Sequence, residues 1–452
     1  MRAAPPELPG VLTVDSPLDR ALALLLAGER EAALRWSAAV VQHDNSVPSA
    51  LILTCRLLAD AGRTEAAVEG FELGVNRAID TGNLPLAVAA VGDLKSLGVD
   101  VNKHLEAIAT AFCAGSPRLS DDAAPPPPPL PHDDDFQPLS SFLTGPALLS
   151  KATEIIHEAS MEYDAAADSA TPLISPLALF SALEKDGLRA LIGCFEMITV
   201  PAGKPVISEG EEGAEAYIVA RGELEVRRTS DEGRSITLAR LTNGALFGEM
   251  ALLSRAPRAA SVVANRPSIL LVARRDALEA VAERRPEVGV ELAAHCRRRM
   301  VANLVRTSKA LLAVAPNERP ALVERFETKV FEKGDKLIEE GKETSGLHLI
   351  ASGEVAVLSH EESGEPFVIA TLGVGETVGE VALVLRRKAN ADVVAVHPTV
   401  TLHLPREDFL DLIRHHPAIL AGLYLAAVER DEETRSVLAG STTAVADDYI
   451  LV

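Results

Sequence analysis

The chain has 452 residues, which favours about three domains of ~150 residues each. Hydrophobic residues make up 47%, enough for packed cores, and the formal net charge of −21 disfavours proteins that bind nucleic acid or an anionic lipid surface. The four cysteines are far apart and have no histidine at ligand spacing, so we expect reduced thiols, no metal site and no disulfide framework. No apolar stretch approaches the ~18 residues of a membrane span, and residues 1–15 do not resemble a signal peptide. We therefore expect a cytoplasmic protein without membrane insertion.

After a disordered N-terminus at 1–15, residues 16–115 are typical of a helical repeat region. Ser16-Pro17 has the pattern of an N-cap followed by proline at the first helical position, and Thr64 is a second candidate cap. Glycines are expected to end three of the helices: Gly62, Gly82 and Gly98. The stretch LLADAGRTEAAVEGF resembles the turn region of a tetratricopeptide repeat, although the large aromatic residues of that family are missing. Such arrays present a groove to a peptide; a plain helical bundle that packs only against the rest of the chain is the alternative.

Residues 116–140 are rich in proline and aspartate and predict an extended, exposed spacer. The run PPPPPLP within it also fits an aromatic groove on a partner. Residues 141–171 predict a helical connector, with its helix from about Pro146 to Ala167.

From about Pro172 the pattern changes to short strands of period two with glycine turns, which predicts a β-sandwich or barrel closed by helices. The segment occurs twice at an offset of 131 residues, with no insertion from Phe195 through Pro286. The matching glycines are Gly203/Gly334, Gly210/Gly341, Gly222/Gly353, Gly244/Gly375 and Gly248/Gly379. Two copies of one β-rich fold follow, at 172–310 and 311–432, before a tail at 433–452.

The stretch FGEMALLSRAPRAASVVA, residues 247–264 and here called the cassette, carries the candidate chemistry. Gly248 permits a tight turn, and the helix-compatible residues after it predict a short helix whose first amides face an anion. Arg258 stands beside small residues, which leave room for its guanidinium to hold phosphate oxygens with two hydrogen bonds. Glu249 suits a ribose hydroxyl, and Ser261 adds a hydroxyl.

The cassette resembles that of the cyclic-nucleotide-binding domain family, which reads F-G-E-x-A-L, a four-residue gap and then P-R-A-A-[ST]-V. The resemblance implies an eight-stranded, jelly-roll-like β-roll with flanking helices, hence a multidomain α + β chain. It implies that Arg258 holds the cyclic phosphate and Glu249 the 2′-hydroxyl, and that Ala259 after the arginine favours cAMP over cGMP. The ligand-binding residues expected in the first copy are Gly248, Glu249, Met250, Ala251, Leu252, Arg258, Ala259, Ala260 and Ser261.

The second copy, VGEVALVLRRKANADVVA, departs from this pattern. Ala389 replaces the phosphate arginine, and Asp392 replaces the serine. Two like charges ~4 Å apart at an effective dielectric of ~20 repel by about 4 kcal/mol, so nucleotide binding here is doubtful. A neighbouring cation compensates for Asp392 if it reaches inward: Arg386, Arg387 or Lys388. The residues of this doubtful second site are Gly379, Glu380, Val381, Ala382, Lys388 and Ala391.

The sequence carries no catalytic constellation or cofactor motif, and the segment after the second copy is too short and acidic for a helix-turn-helix. We therefore expect a non-enzymatic receptor for a cyclic mononucleotide that regulates a protein partner through its helical N-terminal region. A scaffold with inherited β-rolls that bind no ligand is one alternative. Another is a regulatory subunit of cAMP-dependent protein kinase, which the tandem domains resemble over residues 170–430, although the linker lacks an R-R-x-S inhibitor sequence.

Overall fold

The computed structural model describes residues 16–123, 136–165, 171–229, 234–253, 257–307, 325–360, 366–415, 420, 423–424 and 427–428. The expected N-terminus at 1–15, the PPPPPLP run and the tail at 433–452 lie outside these residues. The chain divides into two compact units. The first comprises Met1–Glu209, Ala214–Glu249 and Ala260–Ala293, and the second Gly210–Gly213, Met250–Ala259 and Ala294–Val452.

The first unit begins with a helical array: α1 (Pro17–Leu26), α2 (Arg30–His43), α3 (Pro48–Asp60), α4 (Thr64–Asp80), α5 (Leu84–Ser96) and α6 (Asn102–Phe112). The predicted Ser16 cap is confirmed, because its hydroxyl accepts the Asp19 amide at 3.1 Å. The predicted Thr64 cap is wrong by one residue. Arg63 occupies the N-cap, since its amide binds Leu58 O at 2.8 Å to close the preceding turn, and Thr64 is already helical.

Two further helices precede the strands, α7 (Gly145–Ala165) and α8 (Lys185–Ile192). Helix α7 packs against α2, α3 and α4, whereas α8 packs against α6. The array therefore has a partner from its own chain on the side of α2 and α4. No helix among the described residues combines the length and apolarity that a bilayer crossing requires.

The first β-roll has the expected eight strands: β1 (Glu196–Val200), β2 (Pro205–Ile207), β3 (Glu215–Arg221), β4 (Leu224–Thr229), β5 (Ser235–Leu241), β6 (Leu246–Phe247), β7 (Ser261–Ala264) and β8 (Ser268–Arg274). They form two antiparallel sheets, in the orders β1-β8-β3-β6 and β2-β7-β4-β5. Alternate apolar side chains of both sheets meet in one core: Val200, Val219, Leu224, Phe247 and Leu270. A four-residue helix, α9 (Met250–Leu253), follows β6, and α10 (Arg275–Arg284) and α11 (Pro286–Thr307) follow β8.

The array docks on the first β-roll through α1, α3 and α5. Helix α5 packs against β1 and β3, and the side-chain amide of Asn83, the N-cap of α5, donates to Ala220 O at 3.2 Å. In α1, the Asp19 carboxylate is 2% exposed and pairs with Arg221 and, at 3.5 Å, with Arg266. Because unpaired buried charges are costly, this ionic cluster fixes where the array sits on the β-roll.

The second β-roll lies in the second unit and repeats the first: β9 (Glu327–Phe331), β10 (Lys336–Ile338), β11 (Gly346–Ser352), β12 (Val355–His360), β13 (Pro366–Leu372), β14 (Thr377–Val378), β15 (Asp392–Ala395) and β16 (Thr399–Pro405). Its sheets run β10-β15-β12-β13 and β14-β11-β16-β9. Helix α12 (Glu380–Val384) stands where α9 stands in the first copy, and α13 (Arg406–His415) follows the last strand. Helices α11 and α13 contribute Met300, Leu304 and Phe409 to its core, where they join Phe326 and Leu402.

Candidate functional site

The cassette turns out of β6 at Gly248, whose φ of +72° explains why glycine is needed there. Glu249 follows and is 4% exposed. Helix α9 then begins at Met250, as the sequence predicts. Of its residues, Ala251 is buried, and Met250 and Leu252 are half-buried. A carboxylate buried this deeply at a turn belongs to a polar site, because buried carboxylates require compensation.

Arg258 is held by its backbone and accommodated by a glycine. Its carbonyl accepts the Gly210 amide at 2.9 Å, and its own amide donates to Glu211 O at 2.8 Å. A Cβ added at Gly213 would lie within 2.6 Å of the Arg258 Cζ atom. The guanidinium therefore occupies the space that any side chain at 213 would take, and this close approach gives Gly213 its role. The sequence reasoning did not identify Gly213.

The residues after Arg258 lead into β7. Ala259 is exposed, Ala260 is half-buried, and Ser261 begins the strand. The Ser261 hydroxyl oxygen accepts the Glu209 amide at 2.9 Å. Within the described residues its hydroxyl hydrogen has no acceptor, which leaves it as a donor for an anion.

The second copy keeps the same backbone frame. The Gly341 amide donates to Ala389 O at 2.9 Å, and the Ala389 amide donates to Lys342 O at 2.9 Å. These are the two bonds of the Arg258 loop, shifted by the repeat offset of 131. The difference between the copies therefore lies in side chains and not in the loop.

In the second copy, the loop of Ala389 is occupied by side chains that differ from those at the Arg258 loop. Thr344, the counterpart of Gly213, is 5% exposed and its hydroxyl donates to Gly346 O at 3.0 Å. Asp392, the counterpart of Ser261, accepts the Glu340 amide at 2.8 Å and the Lys336 ammonium at 2.6 Å. This hydrogen bond raises the pKa of Lys336. An internal ion pair thus neutralises the carboxylate that the sequence placed there.

The remaining second-site residues fall into two groups. Glu380, Ala382 and Ala391 are buried, and Gly379 and Val381 are half-buried. Residues 379–382 match residues 248–251 of the first copy in burial, whereas Ala391 is more buried than its counterpart Ala260. Lys388 is exposed, so it does not supply the inward cation for Asp392. Arg386 is also exposed, at a φ of +52°. Lys336 supplies that cation instead, and the sequence reasoning missed it.

The second β-roll buries a pair of histidines in addition to its apolar core. His348 on β11 and His403 on β16 are cross-strand partners with ring centroids 4.5 Å apart. His348 Nδ1 lies 3.0 Å from the Thr401 hydroxyl, and Ser345 lies 3.1 Å from His403 Nε2. Burial is the main cause that lowers the pKa of His348 to about 3, followed by the charges of His403 and Lys329. The first β-roll instead stacks Tyr217 on Phe247 with ring centroids 5.2 Å apart.

Groups of histidine, cysteine and carboxylate side chains able to hold a metal ion do not occur among the described residues.

Comparison with known proteins places both β-rolls in one family. Residues 197–285 and 328–416 each match the model of the cyclic nucleotide-binding domain. The chain is 31% identical over 235 residues to the cAMP-dependent protein kinase regulatory subunit of Yarrowia lipolytica, covering 52% of this chain and 58% of that protein. It is 30% identical over 243 residues to the corresponding subunit of Hypocrea atroviridis, covering 52% and 50%. The chain thus spans about half the length of the curated relatives it matches.

Among solved structures, the regulatory domain of Toxoplasma gondii PKA, crystallised with cAMP, is 26% identical with a TM-score of 0.29, covering 56% of this chain and 92% of that chain. Each of the two family matches covers the strands of one β-roll and the helix that follows them. Residues 197–285 and 328–416 are therefore two tandem domains of the cyclic nucleotide-binding domain family.

Proposed function

We propose that this chain is a receptor for a cyclic mononucleotide, bound in the first β-roll alone. The observation that carries the proposal is the Arg258 guanidinium, seated over Gly213 in a loop fixed by two backbone hydrogen bonds. Guanidinium groups bind phosphate oxygens bidentately, and a fixed loop lowers the entropy lost on binding. A single arginine suits one cyclic phosphate.

Each cassette residue has a proposed role. Arg258 and the Ser261 hydroxyl hold the cyclic phosphate, and Glu249 accepts the ribose 2′-hydroxyl. The amides of Ala251 and Ala260 complete the phosphate site. The other lining residues are Gly248, Met250, Leu252 and Ala259. The methyl side chain of Ala259 favours cAMP over cGMP.

The second β-roll serves, in this proposal, as a domain that binds no nucleotide. The Lys336–Asp392 pair at 2.6 Å and the buried Thr344 support this assignment, because they occupy the positions that a phosphate and its arginine would need. A phosphate brought to this loop would displace an ion pair that already satisfies the Glu340 amide.

The receptor acts as a non-enzymatic regulator of a protein partner in the cytoplasm, through its helical N-terminal region. The relatives named as regulatory subunits of cAMP-dependent protein kinase support a regulatory role. They also favour a second candidate function, a regulatory subunit that binds a kinase catalytic subunit. Co-purification with a kinase whose activity falls on binding this chain would distinguish that candidate.

Titration of the full chain with cAMP and cGMP by calorimetry tests nucleotide binding. We expect one site per chain, and we expect Arg258→Ala to lose about 2–5 kcal/mol of binding free energy, since it removes one partner of a buried charge pair. Arg228→Ala is the matched control, because Arg228 is an exposed arginine of the same β-roll and the change should leave the affinity unaltered. Absence of heat with either nucleotide would leave the ligand-free scaffold. Two equivalent sites would contradict the assignment of the second β-roll.

A further inference from the structure

One face of the helical array, formed by α2 and α4, is covered by residues 136–165, here called the covering segment. The Phe136 ring stacks on Trp36 of α2 with centroids 6.1 Å apart, and it meets His43 edge-on at 5.7 Å. The Leu139 amide donates to Arg35 O at 3.2 Å, which aligns the following residues along α2. The covering segment thus begins with an aromatic ring anchored on the array.

The helical part of the covering segment, α7, meets α4 through an apolar stripe. The stripe follows the pattern Leu-x3-Ala-x2-Ile-Ile-x2-Ala, and its members are all buried: Leu148, Ala152, Ile155, Ile156 and Ala159. Gly70 lies in the interior of α4, where glycine is unfavourable for a helix. A Cβ there would meet Cys55 Sγ of α3 first and would lie 2.8 Å from Ile156 Cγ2. Gly70 therefore gives α4 a depression that receives the thiol of Cys55 and, beside it, the branched side chain of Ile156.

Polar contacts surround this stripe at both ends. The Gly145 amide donates to Glu31 of α2 at 3.1 Å, and the Tyr163 hydroxyl donates to Asp80 of α4 at 2.9 Å. Arg77 lies over the Tyr163 ring at 4.7 Å. An apolar centre with a polar rim is the anatomy of a protein-binding surface. A second face of the array, formed by α1, α3 and α5, contacts the first β-roll through Asp19, through Arg56 with Met197, and through α5.

We propose that the face of α2 and α4 binds an amphipathic helix of a partner protein, and that the covering segment occupies this face as an intramolecular competitor. The chemistry of the partner follows from that occupant: an aromatic ring for Trp36, then a helix with the pattern Leu-x3-Ala-x2-Ile-Ile-x2-Ala for the depression at Gly70. The inference rests on the partner-binding part of the proposed function and names its surface. It does not require nucleotide binding.

The test uses the full chain and a fluorescein-labelled peptide of residues 136–165. Ile156→Asp places a carboxylate in the apolar stripe and should release the covering segment, because a buried unpaired charge is strongly unfavourable. Met161→Asp is the matched control, since Met161 is 58% exposed on the same helix. Trp36 is the only tryptophan of the chain, so its emission reports the loss of Phe136 directly.

We expect Ile156→Asp to shift Trp36 emission to the red and to bind the peptide saturably, with the emission restored. We expect the unaltered chain and Met161→Asp to bind none at ~10 μM peptide. A tethered segment competes at about millimolar effective concentration, so ~10 μM peptide occupies about one molecule in a hundred. A peptide that keeps only the aromatic ring and the stripe should bind Ile156→Asp equally, and a scrambled peptide should not.

Peptide binding by neither variant, or by both alike, would overturn the proposal. So would equal binding of the scrambled peptide. If Ile156→Asp fails to fold, hydrogen exchange of the unaltered chain decides: α7 amides should exchange at least 10-fold faster than those of α4, and equal protection would make α7 an integral part of the array. A dimer of the unaltered chain that dissociates in Ile156→Asp would assign the surface to a second copy. Since no nucleotide is present, none of these outcomes bears on the Arg258 site.

Discussion

Because Gly213 lies close to the Arg258 guanidinium, a side chain at position 213 would move this positive charge without removing it. Gly213 is not one of the described glycines with a positive φ, so its backbone conformation is compatible with alanine. We expect Gly213→Ala to push the guanidinium out of its seat, weaken cyclic nucleotide binding about tenfold and leave the thermal stability unchanged. Calorimetric titration and a melting curve on the same sample measure the two effects.

Gly373→Ala is the control for this prediction, because a Cβ at Gly373 meets nothing within 4 Å and the second β-roll is not expected to bind nucleotide. Unchanged affinity in Gly213→Ala would mean that Arg258 reaches its ligand from another position. Loss of stability together with affinity would mean that Gly213 supports the fold and not the arginine.

At this scale, residue types along the chain were more predictable than pairings across it. Gly248, Glu249 and Arg258 stand out because each is an unusual choice for a plain turn. Gly213 precedes a strand and resembles any turn glycine until the arginine above it is seen. Lys336 pairs with Asp392 across 56 residues, whereas sequence reasoning considered only the cations adjacent to the loop.

Among the elements, the paired strands β11 and β16 carry a pH-dependent contribution to stability. His348 has an ordinary pKa of 6.5 and a folded value of about 3, so between these values the unfolded chain binds more protons than the folded one. The free energy of unfolding of the second β-roll should therefore fall as the pH is lowered from about 6.5, by up to about 1.4 kcal/mol per pH unit from this residue. Full stability lies above pH 6.5.

Urea unfolding at pH 7 and pH 5 tests this expectation. His348→Gln should reduce the difference between the two pH values, and the lowered pKa of His403 accounts for a remaining slope. If His348→Gln and the unaltered chain lose equal stability on acidification, the histidine pair is not the source.

Element types and order followed the sequence pattern closely. The helix predicted from about Pro146 to Ala167 is observed as Gly145–Ala165, and all eight strands of the first β-roll lie within the predicted copy at 172–310, although the two-residue β6 has no segment of period two of its own. The second copy was equally predictable, because its elements follow from those of the first by adding the constant offset of 131 residues. The N-cap at Arg63 was missed because a backbone hydrogen bond across the preceding turn prevailed over the side-chain preference of threonine.

At the scale of the molecule, the buried Asp19 cluster joins the helical array to the first β-roll. Asp19→Ala would leave two arginines of the β-roll without this carboxylate, and we expect it to lower the free energy of unfolding by about 3–5 kcal/mol. Adding Arg221→Met should recover part of the loss, because the double change removes a buried charge together with its partner. Urea denaturation followed by circular dichroism measures both variants and the unaltered chain.

Asp60→Ala is the control, since its pair with Arg30 is 3.5 Å long and both side chains are at least half exposed. Exposed pairs contribute about 0–1 kcal/mol, so this variant should remain close to the unaltered chain. Equal losses in Asp19→Ala and Asp60→Ala would show that this ionic cluster does not hold the array to the β-roll.

The arrangement of whole segments was the least predictable level. The apolar stripe of α7 indicates an amphipathic helix, but a stripe does not identify the surface that it covers. The same limit applies to α1, where Asp19 reads as an ordinary first-turn acid that favours the helix dipole. Only its separation of 202 residues from Arg221 makes it a contact between domains.

Because the covering segment occupies the face of α2 and α4, it raises the partner concentration that is needed for binding. A partner that binds only the uncovered form has an apparent dissociation constant equal to its intrinsic value divided by the uncovered fraction, so an uncovered fraction of about 1% weakens binding about 100-fold. The threshold then depends on how firmly Ile155 and Ile156 hold the covering segment on the array, and not on the partner's intrinsic affinity alone. Trimming either side chain by a methyl group would retune the sensitivity of the response while the contacts made by the partner stay the same.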